Sequence, residues 1–306
     1  MPELPEVETV VRGLRTSLPG RVITTAHFGK TDFIEDPATI AERLPGSRIA
    51  DVTRLGKFIC IGLGPNGTSA PDSRFRLVIH LGMTGQLTVA GSGDSVPPHT
   101  HCFFHLDDGR ELRYTDIRRF GRMLLVPESG LGTFKGRMGK EPLEISAEEF
   151  CNHLGPRRAR IKALLLDQKV LRGIGNIYAD ESLFRARLHP ARIAASLARK
   201  QLLALHQSVR HVLEEAIRFR GSSVSDYVDA EGKRGEFQFL HRVYQREGEP
   251  CLVCKARIRR VIVAGRSSHF CPRCQPPPRP KRAPHRATKD RKRRGKLNPR
   301  RRAAQA

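Results

Sequence analysis

The sequence predicts an α+β chain. Its N-terminal part is a β-sandwich or barrel behind a first helix, its middle is helical, and its C-terminal part is a small β-hairpin. Three observations predict this. Strand-like runs separated by Gly, Pro, Asp and Asn fill residues ~20–130. Apolar residues recur at helical spacing from about residue 145. Two pairs of cysteines then flank one more strand-like run.

The first helix is predicted from Val7, Val10, Val11, Leu14 and Leu18, with Gly20 closing the segment. The strands follow at Val22–Ala26, Phe58–Ile61, Phe75–Ile79, Cys102–Leu106 and Met123–Val126, and Asp108-Gly109 is a hairpin signal. Ile145–Leu154, Arg160–Asp167, Ala179–Ala186 and Leu197–Phe219 read as helices. Ser146 and Glu149 make a capping box, and Leu202, Leu205, Val209, Val212, Leu213 and Ala216 make a core stripe. Residues 221–236, rich in Gly, Ser and Asp, read as a flexible loop. The divisions expected are 1–135, 136–240, 241–274 and a basic, disordered tail over 275–306.

The 306 residues allow one large or two ordinary domains, with 39% apolar residues for their cores. The formal net charge is +24 and the pI about 10.7, which implies a polyanionic partner, most simply nucleic acid. Residues 275–306 hold thirteen Lys/Arg against one Asp, a net of +12, so the body keeps the other +12. No apolar run approaches the ~18 residues of a membrane span. The first residues carry Glu instead of the basic and apolar regions of a signal peptide, and no Walker-type phosphate loop is present. These features, with seven cysteines, predict a cytoplasmic protein in a reducing compartment.

Cys251, Cys254, Cys271 and Cys274 are spaced C-x2-C-x16-C-x2-C. Two cysteines two residues apart reach one tetrahedral ion, and a hairpin over Ile258–Val263 returns the second pair to it. Four thiolates leave no open position, so the expectation is one structural zinc. Cys60, Cys102 and Cys151 lie in apolar segments and are expected in cores. In His99-Thr100-His101-Cys102, strand alternation would put His99 and His101 on one face, where hydrogen bonding or solvation is expected in place of metal. His99 is also a candidate DNA contact, and His80 is expected to be structural.

The first residues, Met1-Pro2-Glu3-Leu4-Pro5-Glu6, carry the chemistry. Removal of Met1 would leave Pro2 as a free secondary amine. An α-amino group has a pKa near ~7.7–8.0, so it is partly neutral at pH 7. A neutral amine attacks an electrophilic carbon and leaves an iminium. Glu3 and Glu6, three apart at the helix start, add two acids to that nucleophile. Proline and glutamate are also common at helix starts for structural reasons alone.

With Arg54-Leu-Gly-Lys57, His80-Leu-Gly-Met83-Thr-Gly-Gln-Leu, Arg113-Tyr-Thr-Asp-Ile-Arg118-Arg119-Phe120-Gly, Gly173-Ile-Gly-Asn176-Ile-Tyr-Ala-Asp-Glu and Gly248-Glu-Pro-Cys251, these strings resemble the formamidopyrimidine-DNA glycosylase family, the Fpg/MutM branch of the Fpg/Nei superfamily. They run in the family's order from residue 1 to about 274.

The resemblance implies a β-sandwich with an N-terminal helix, a helix–two-turn–helix domain and a zinc finger, with damaged double-stranded DNA bound in the cleft between them by a monomer. It implies a bacterial base-excision enzyme, nucleoid-associated, that removes 8-oxoguanine and formamidopyrimidines and then cleaves the strand by β,δ-elimination. Pro2 would be the nucleophile, Glu3 the acid, Glu6 a supporting acid and Lys57 a phosphate-binding catalytic residue. Met83, Arg118 and Phe120 would fill the gap left by an everted base. Asn176 and Arg266 would grip phosphates, and the 221–236 loop would cover the everted base. Ile117 departs from the proline of many members. The alternatives are an endonuclease VIII-like enzyme for oxidised pyrimidines, against which Leu4 and Thr9 argue, and a non-enzymatic zinc-ribbon nucleic-acid binder.

Overall fold

The computed structural model describes residues 1–65 and 74–278. Helix α1 spans Leu4–Ser17 and turns Val7, Val10, Val11 and Leu14 inward, all fully buried. Eight antiparallel strands follow: β1 Ile23–Phe28, β2 Ser47–Leu55, β3 Phe58–Pro65, β4 Phe75–His80, β5 Gln86–Gly91, β6 Thr100–Leu106, β7 Arg110–Thr115 and β8 Arg122–Pro127. They form two four-stranded sheets, ordered β1-β6-β7-β5 and β2-β3-β4-β8. The inner faces and α1 close one core that includes Ile23, Ile49, Ile61, Leu77, Phe104 and Tyr114. This is the sandwich alternative of the sequence reading. Gly109, in the left-handed region at φ 81°, turns β6 into β7.

A short helix α2, Pro37–Arg43, lies between β1 and β2, and α3, Leu131–Gly136, follows β8. The helical region holds α4 Ala147–Leu154, α5 Ile161–Leu166, α6 Asn176–Arg185 and α7 Arg199–Arg218. Ser146 caps α4 through Glu149, as its sequence predicts. The α7 stripe from Leu202 to Ala216 is buried against α4 and α6. The C-terminal hairpin is β9 Arg259–Val263 paired with β10 Arg266–Phe270. Cys60, Cys102 and Cys151 are all buried.

Leu4 belongs to the second apolar core, with Ile174, Tyr178 and Leu213, while Val7 onward belongs to the first. One helix therefore enters both cores. A buried ionic cluster adds to this junction. Arg54 on β2 makes a fork to Glu141 at 3.0 and 3.2 Å and reaches Glu8 at 2.9 Å, and Arg172 meets Glu141 at 3.1 Å.

Residues 221–236 depart from the expectation of a flexible loop. Tyr227 and Ala230 are buried in the sandwich core, Ala230 O accepts the Val89 N–H at 3.0 Å, and Tyr227 donates to Glu6 O at 3.2 Å. Gln275, which composition assigns to the tail, is buried and closes the cysteine module through Cys271 and Leu188. The remaining tail, 279–306, lies outside the described residues, as do residues 66–73 between β3 and β4.

Candidate active site

Glu3 is the N-cap of α1, with extended backbone at φ −103°, ψ −170°. The predicted helix start thus falls at Leu4, and Pro2 precedes it. The Glu3 N–H donates to Glu6 Oε2 at 2.8 Å. The Glu3 carboxylate accepts from Gly175 N–H at 2.8 Å and Ile177 N–H at 3.0 Å. These amides are at the start of α6, where unpaired N–H groups and the helix dipole favour an anion. A Cβ on Gly175 would collide with this carboxyl group, so glycine is required there. Glu3 is buried, and desolvation raises its pKa against the opposing pull of Lys57 and the α6 amides.

Glu6 lies deeper. Its carboxylate accepts from Ser222 N–H at 2.7 Å and from the Tyr178 hydroxyl, besides Glu3 N–H. Gly221 has φ +76°, and a Cβ there would come within 2.6 Å of Glu6 Oε1. Burial, and then the neighbouring Glu3 charge, pushes the Glu6 pKa up to about 7. At neutral pH this group is poised between acid and base.

Lys57 sits in the β2–β3 turn after Gly56 and is only 7% exposed. Burial lowers its pKa, opposed by the charges of Glu3 and Glu6. Lys57, Glu3, Met1, Met83, Asn176 and Arg266 line one cavity of about 540 Å³. Pro2 is buried between Met1, which faces the cavity, and Glu3. The cavity therefore draws on the N-terminus, the sandwich, the start of α6 and the C-terminal hairpin.

Met83, Arg118 and Phe120 meet on an exposed tip. The Arg118 guanidinium lies over the Phe120 ring at 4.5 Å and its Nη1 is 3.2 Å from Met83 Sδ. Phe120 is 55% exposed. A fully buried carboxylate, Asp116, supports the tip: it accepts from the Thr84 and Tyr114 hydroxyls and from the Arg118 and Gly121 amides. An apolar residue so exposed, on so well-fixed a loop, is suited to entering another molecule.

Asn176 is the first residue of α6, and its buried Oδ1 has no partner among the described residues. Arg266 opens β10 and is exposed. His99 does not line the cavity. It precedes β6 in the left-handed region (φ 65°), which breaks the alternation expected of it and His101, and its carbonyl accepts the Asp116 N–H at 3.0 Å. His80 is structural in position, with Nδ1 accepting from Gly82 N–H at 3.1 Å.

The four paired cysteines converge, with every Sγ within 4.8 Å of the others and closest approaches of 3.4 and 4.0 Å. Zinc–sulfur bonds of ~2.3 Å in a tetrahedron put sulfurs about 3.8 Å apart. The set fits one structural zinc.

Three family models divide the chain. The formamidopyrimidine-DNA glycosylase N-terminal domain matches residues 1–123, its H2TH domain 138–228, and the zinc finger found in FPG and IleRS 248–277. The chain belongs to the formamidopyrimidine-DNA glycosylase family. A formamidopyrimidine-DNA glycosylase of Solibacter usitatus is 49% identical over 277 residues, covering 90% of this chain and 99% of that relative. One of Desulforamulus reducens is 43% identical over 282 residues, 90% of this chain and 99% of its own. A Lactococcus lactis FPG mutant solved with Fapy-dG-containing DNA superposes with a TM-score of 0.82 at 32% identity, covering 90% of this chain and 100% of that one. The Lactococcus lactis Fpg complex with abasic-site DNA gives the same values. As a formamidopyrimidine-DNA glycosylase family member the protein is a base-excision-repair DNA glycosylase, and the family pairs this activity with abasic-site lyase activity. Among the described residues no helix is long and apolar enough to cross a membrane.

Sequence reasoning missed several residues that the fold brings to this candidate site. Tyr178 and Ser222 hold Glu6, His241 bonds Ser222 from behind, and Asp116 holds the exposed tip. Tyr178 and Asp116 lie inside strings that carry the resemblance, so a signal was present. Ser222 and His241 lie in irregular segments whose pairing with residue 6 only the fold creates.

Proposed function

We propose that this chain excises oxidised purines, 8-oxoguanine and formamidopyrimidines, from double-stranded DNA and then cleaves the strand. The observation that carries the reading is the convergence of Glu3, Lys57, Asn176 and Arg266 on one cavity beside buried Pro2. Removal of Met1 converts Pro2 into a secondary amine at that wall. The amine attacks C1′ of the damaged nucleotide as the base departs, forming a C–N bond while the glycosidic bond breaks. Glu3 protonates the opening sugar, and Glu6 supports it from beneath. The resulting iminium acidifies the adjacent C–H, and loss of that proton allows β- and then δ-elimination.

Lys57, Asn176 and Arg266 hold phosphates: two cations, and one residue at a helix N-terminus. Met83, Arg118 and Phe120 fill the hole left by the everted nucleotide, offsetting a few kcal/mol of lost stacking. His99 contacts the duplex from the neighbouring β5–β6 loop, whose carbonyl at His99 holds the Asp116 N–H. Residues 221–236 cover the everted base. Residues 1–135, 136–240 and 241–274 work as catalytic, DNA-binding and zinc-finger units in a monomer of the bacterial cytoplasm, associated with the nucleoid. Zinc, held by Cys251, Cys254, Cys271 and Cys274, fixes the hairpin that presents Arg266.

The test is borohydride trapping. Incubation of the Met1-processed protein with an 8-oxoguanine:cytosine duplex and borohydride should link DNA to the peptide that begins at Pro2, read by mass spectrometry. A processed, zinc-loaded protein that cleaves the duplex without such an adduct would overturn the proline mechanism. Preference for thymine glycol over 8-oxoguanine would overturn the substrate assignment.

A further inference from the structure

Glu6 is sealed. Its carboxylate has three partners among the described residues: the amides of Glu3 and Ser222, and the Tyr178 hydroxyl. A backbone N–H donates but does not also accept, so the Tyr178 hydroxyl is the one of the three that can pass a proton on. Tyr178 Oη lies 3.4 Å from Ser222 Oγ, and Ser222 Oγ lies 3.1 Å from His241 Nε2. All four side chains are buried. The His241 ring makes no other hydrogen bond among the described residues. It lines a second cavity, of about 580 Å³, with Ser223, Gln238, Phe239 and Gln245. Tyr244 lines both cavities.

We propose that Glu6, Tyr178, Ser222 and His241 form a proton path from the base pocket to this outer cavity, with His241 as its solvent-side terminus. The proposal rests on the reading of Glu6 as an acid that supports base departure. With DNA in the first cavity, direct solvent access to the acids is closed, and the path supplies the proton from behind. His241 accepts a proton from water at Nδ1 and releases the one on Nε2 to Ser222 Oγ. Ser222 passes its own to Tyr178 Oη, and Tyr178 passes its own to Glu6. One O–H or N–H bond breaks and one forms at each station, so the net change is one proton moved from water to Glu6.

The chemistry of each station suits this role. A neutral imidazole has one donor and one acceptor nitrogen, and burial keeps His241 neutral by lowering its pKa to about 4. A hydroxyl donates and accepts at once. The Tyr178–Ser222 link is the longest, and such contacts shorten when substrate closes a site. Other titratable groups face the path without joining it. Glu3 and Lys57 act on Glu6 by charge, Tyr227 donates to the Glu6 carbonyl, and Tyr244 packs edge-on against His241 at 5.5 Å.

The test follows single-turnover release of 8-oxoguanine at pH 6–8 by wild type, Ser222→Ala and His241→Leu. Cleavage of a duplex with a ready-made abasic site runs beside it, since no base departs there. Wild type should release base in one exponential phase. In both variants complexes formed with Glu6 already protonated react at the normal rate, and the rest wait. Release should become biphasic, its slow phase at least tenfold slower. For a group titrating at about 7, the fast fraction should fall from about nine-tenths at pH 6 to about one-tenth at pH 8. Abasic-site cleavage by both variants should stay in a single exponential phase at every pH, so that the slow phase is confined to base release. Single-phase release at the wild-type rate in both variants would overturn the path. So would equal losses of base release and abasic-site cleavage, which mark structural damage. A wild type that releases no base from this duplex would overturn the underlying reading of Glu6, and the path with it.

Discussion

The Lys162 ammonium meets the Asp180 carboxylate at 2.7 Å with both side chains fully buried. Each also holds the C-terminal hairpin. Lys162 Nζ donates to Ser267 O at 2.8 Å, and Asp180 Oδ2 accepts the His269 N–H at 2.8 Å. The pair on α5 and α6 therefore fixes β10, the strand that begins with Arg266. Removing one partner of a buried pair leaves an uncompensated charge, which costs about 3–5 kcal/mol, whereas an apolar pair of similar volume is often tolerated. Lys162→Met should lower stability by that amount in urea unfolding. The double variant with Asp180→Leu should recover most of it. Both variants should bind DNA more weakly than wild type, because each loses a hydrogen bond to β10.

Glu6 sets a pH dependence of stability. Its pKa in the fold, about 7, lies above the ordinary 4.5, so the fold favours the protonated form. Its contribution is fully present below pH 4.5 and is lost as pH rises through 7. Glu6→Gln is neutral throughout. The stability of this variant relative to wild type should rise between pH 5 and 8, by on the order of 3 kcal/mol, in parallel denaturation series. A constant difference across that range would show that Glu6 is ionised at no cost in the fold.

The exposed tip separates stability from binding. Phe120→Ala removes a ring that is 55% exposed, so melting should shift by less than about 0.5 kcal/mol. Affinity for a duplex with a lesion should fall roughly ten- to hundredfold, matching a stacking contribution of a few kcal/mol. Asp116→Ala should weaken both, because four donors lose their acceptor.

Zinc removal should act locally. Elemental analysis should find one zinc per chain, and a strong chelator should release it. Loss of the metal should abolish lesion binding through the hairpin, while the sandwich core, which contains none of its four ligands, keeps its β-sheet signal.

Residues 279–306 carry thirteen cations and one Asp. Ending the chain after Pro278 should flatten the log–log salt dependence of DNA binding and leave the single-turnover rate at saturation unchanged. An unchanged salt slope would show that these charges do not meet DNA.

Much of this fold is written locally. The stripe from Val7 to Leu18, the Ser146–Glu149 box and the Asp108-Gly109 turn are short-range signals, and each element formed where its signal lies. β2 and β7 were harder to see, because Arg48, Arg54, Arg110 and Arg113 interrupt the apolar pattern. In the fold these arginines are consumed by Glu8, Glu141, Asp108 and Glu111 or by main-chain carbonyls. The residues lining the cavity were legible because they sit inside long, specific strings. The Glu6–Tyr178–Ser222–His241 cluster was not, since its members are separated by up to 235 positions and no local pattern links them. The 221–236 segment was misjudged for a related reason. Its composition is that of a loop, but Tyr227 and Ala230 are anchors whose partners lie on α1 and β5.

The grip of Glu3 on Gly175 and Ile177 means that no contiguous half of this chain holds a finished centre. A fragment ending before residue 175 would present its first residues with nothing to dock them, and one starting after residue 10 would offer a cradle with nothing in it. The two pieces, mixed, would have to rejoin through Leu4, the two carboxylates and the α1 contacts with Tyr227 before either could react. A chain nicked in the stretch between them could therefore stay inert until its ends met, which ties reactivity to the integrity of the whole molecule.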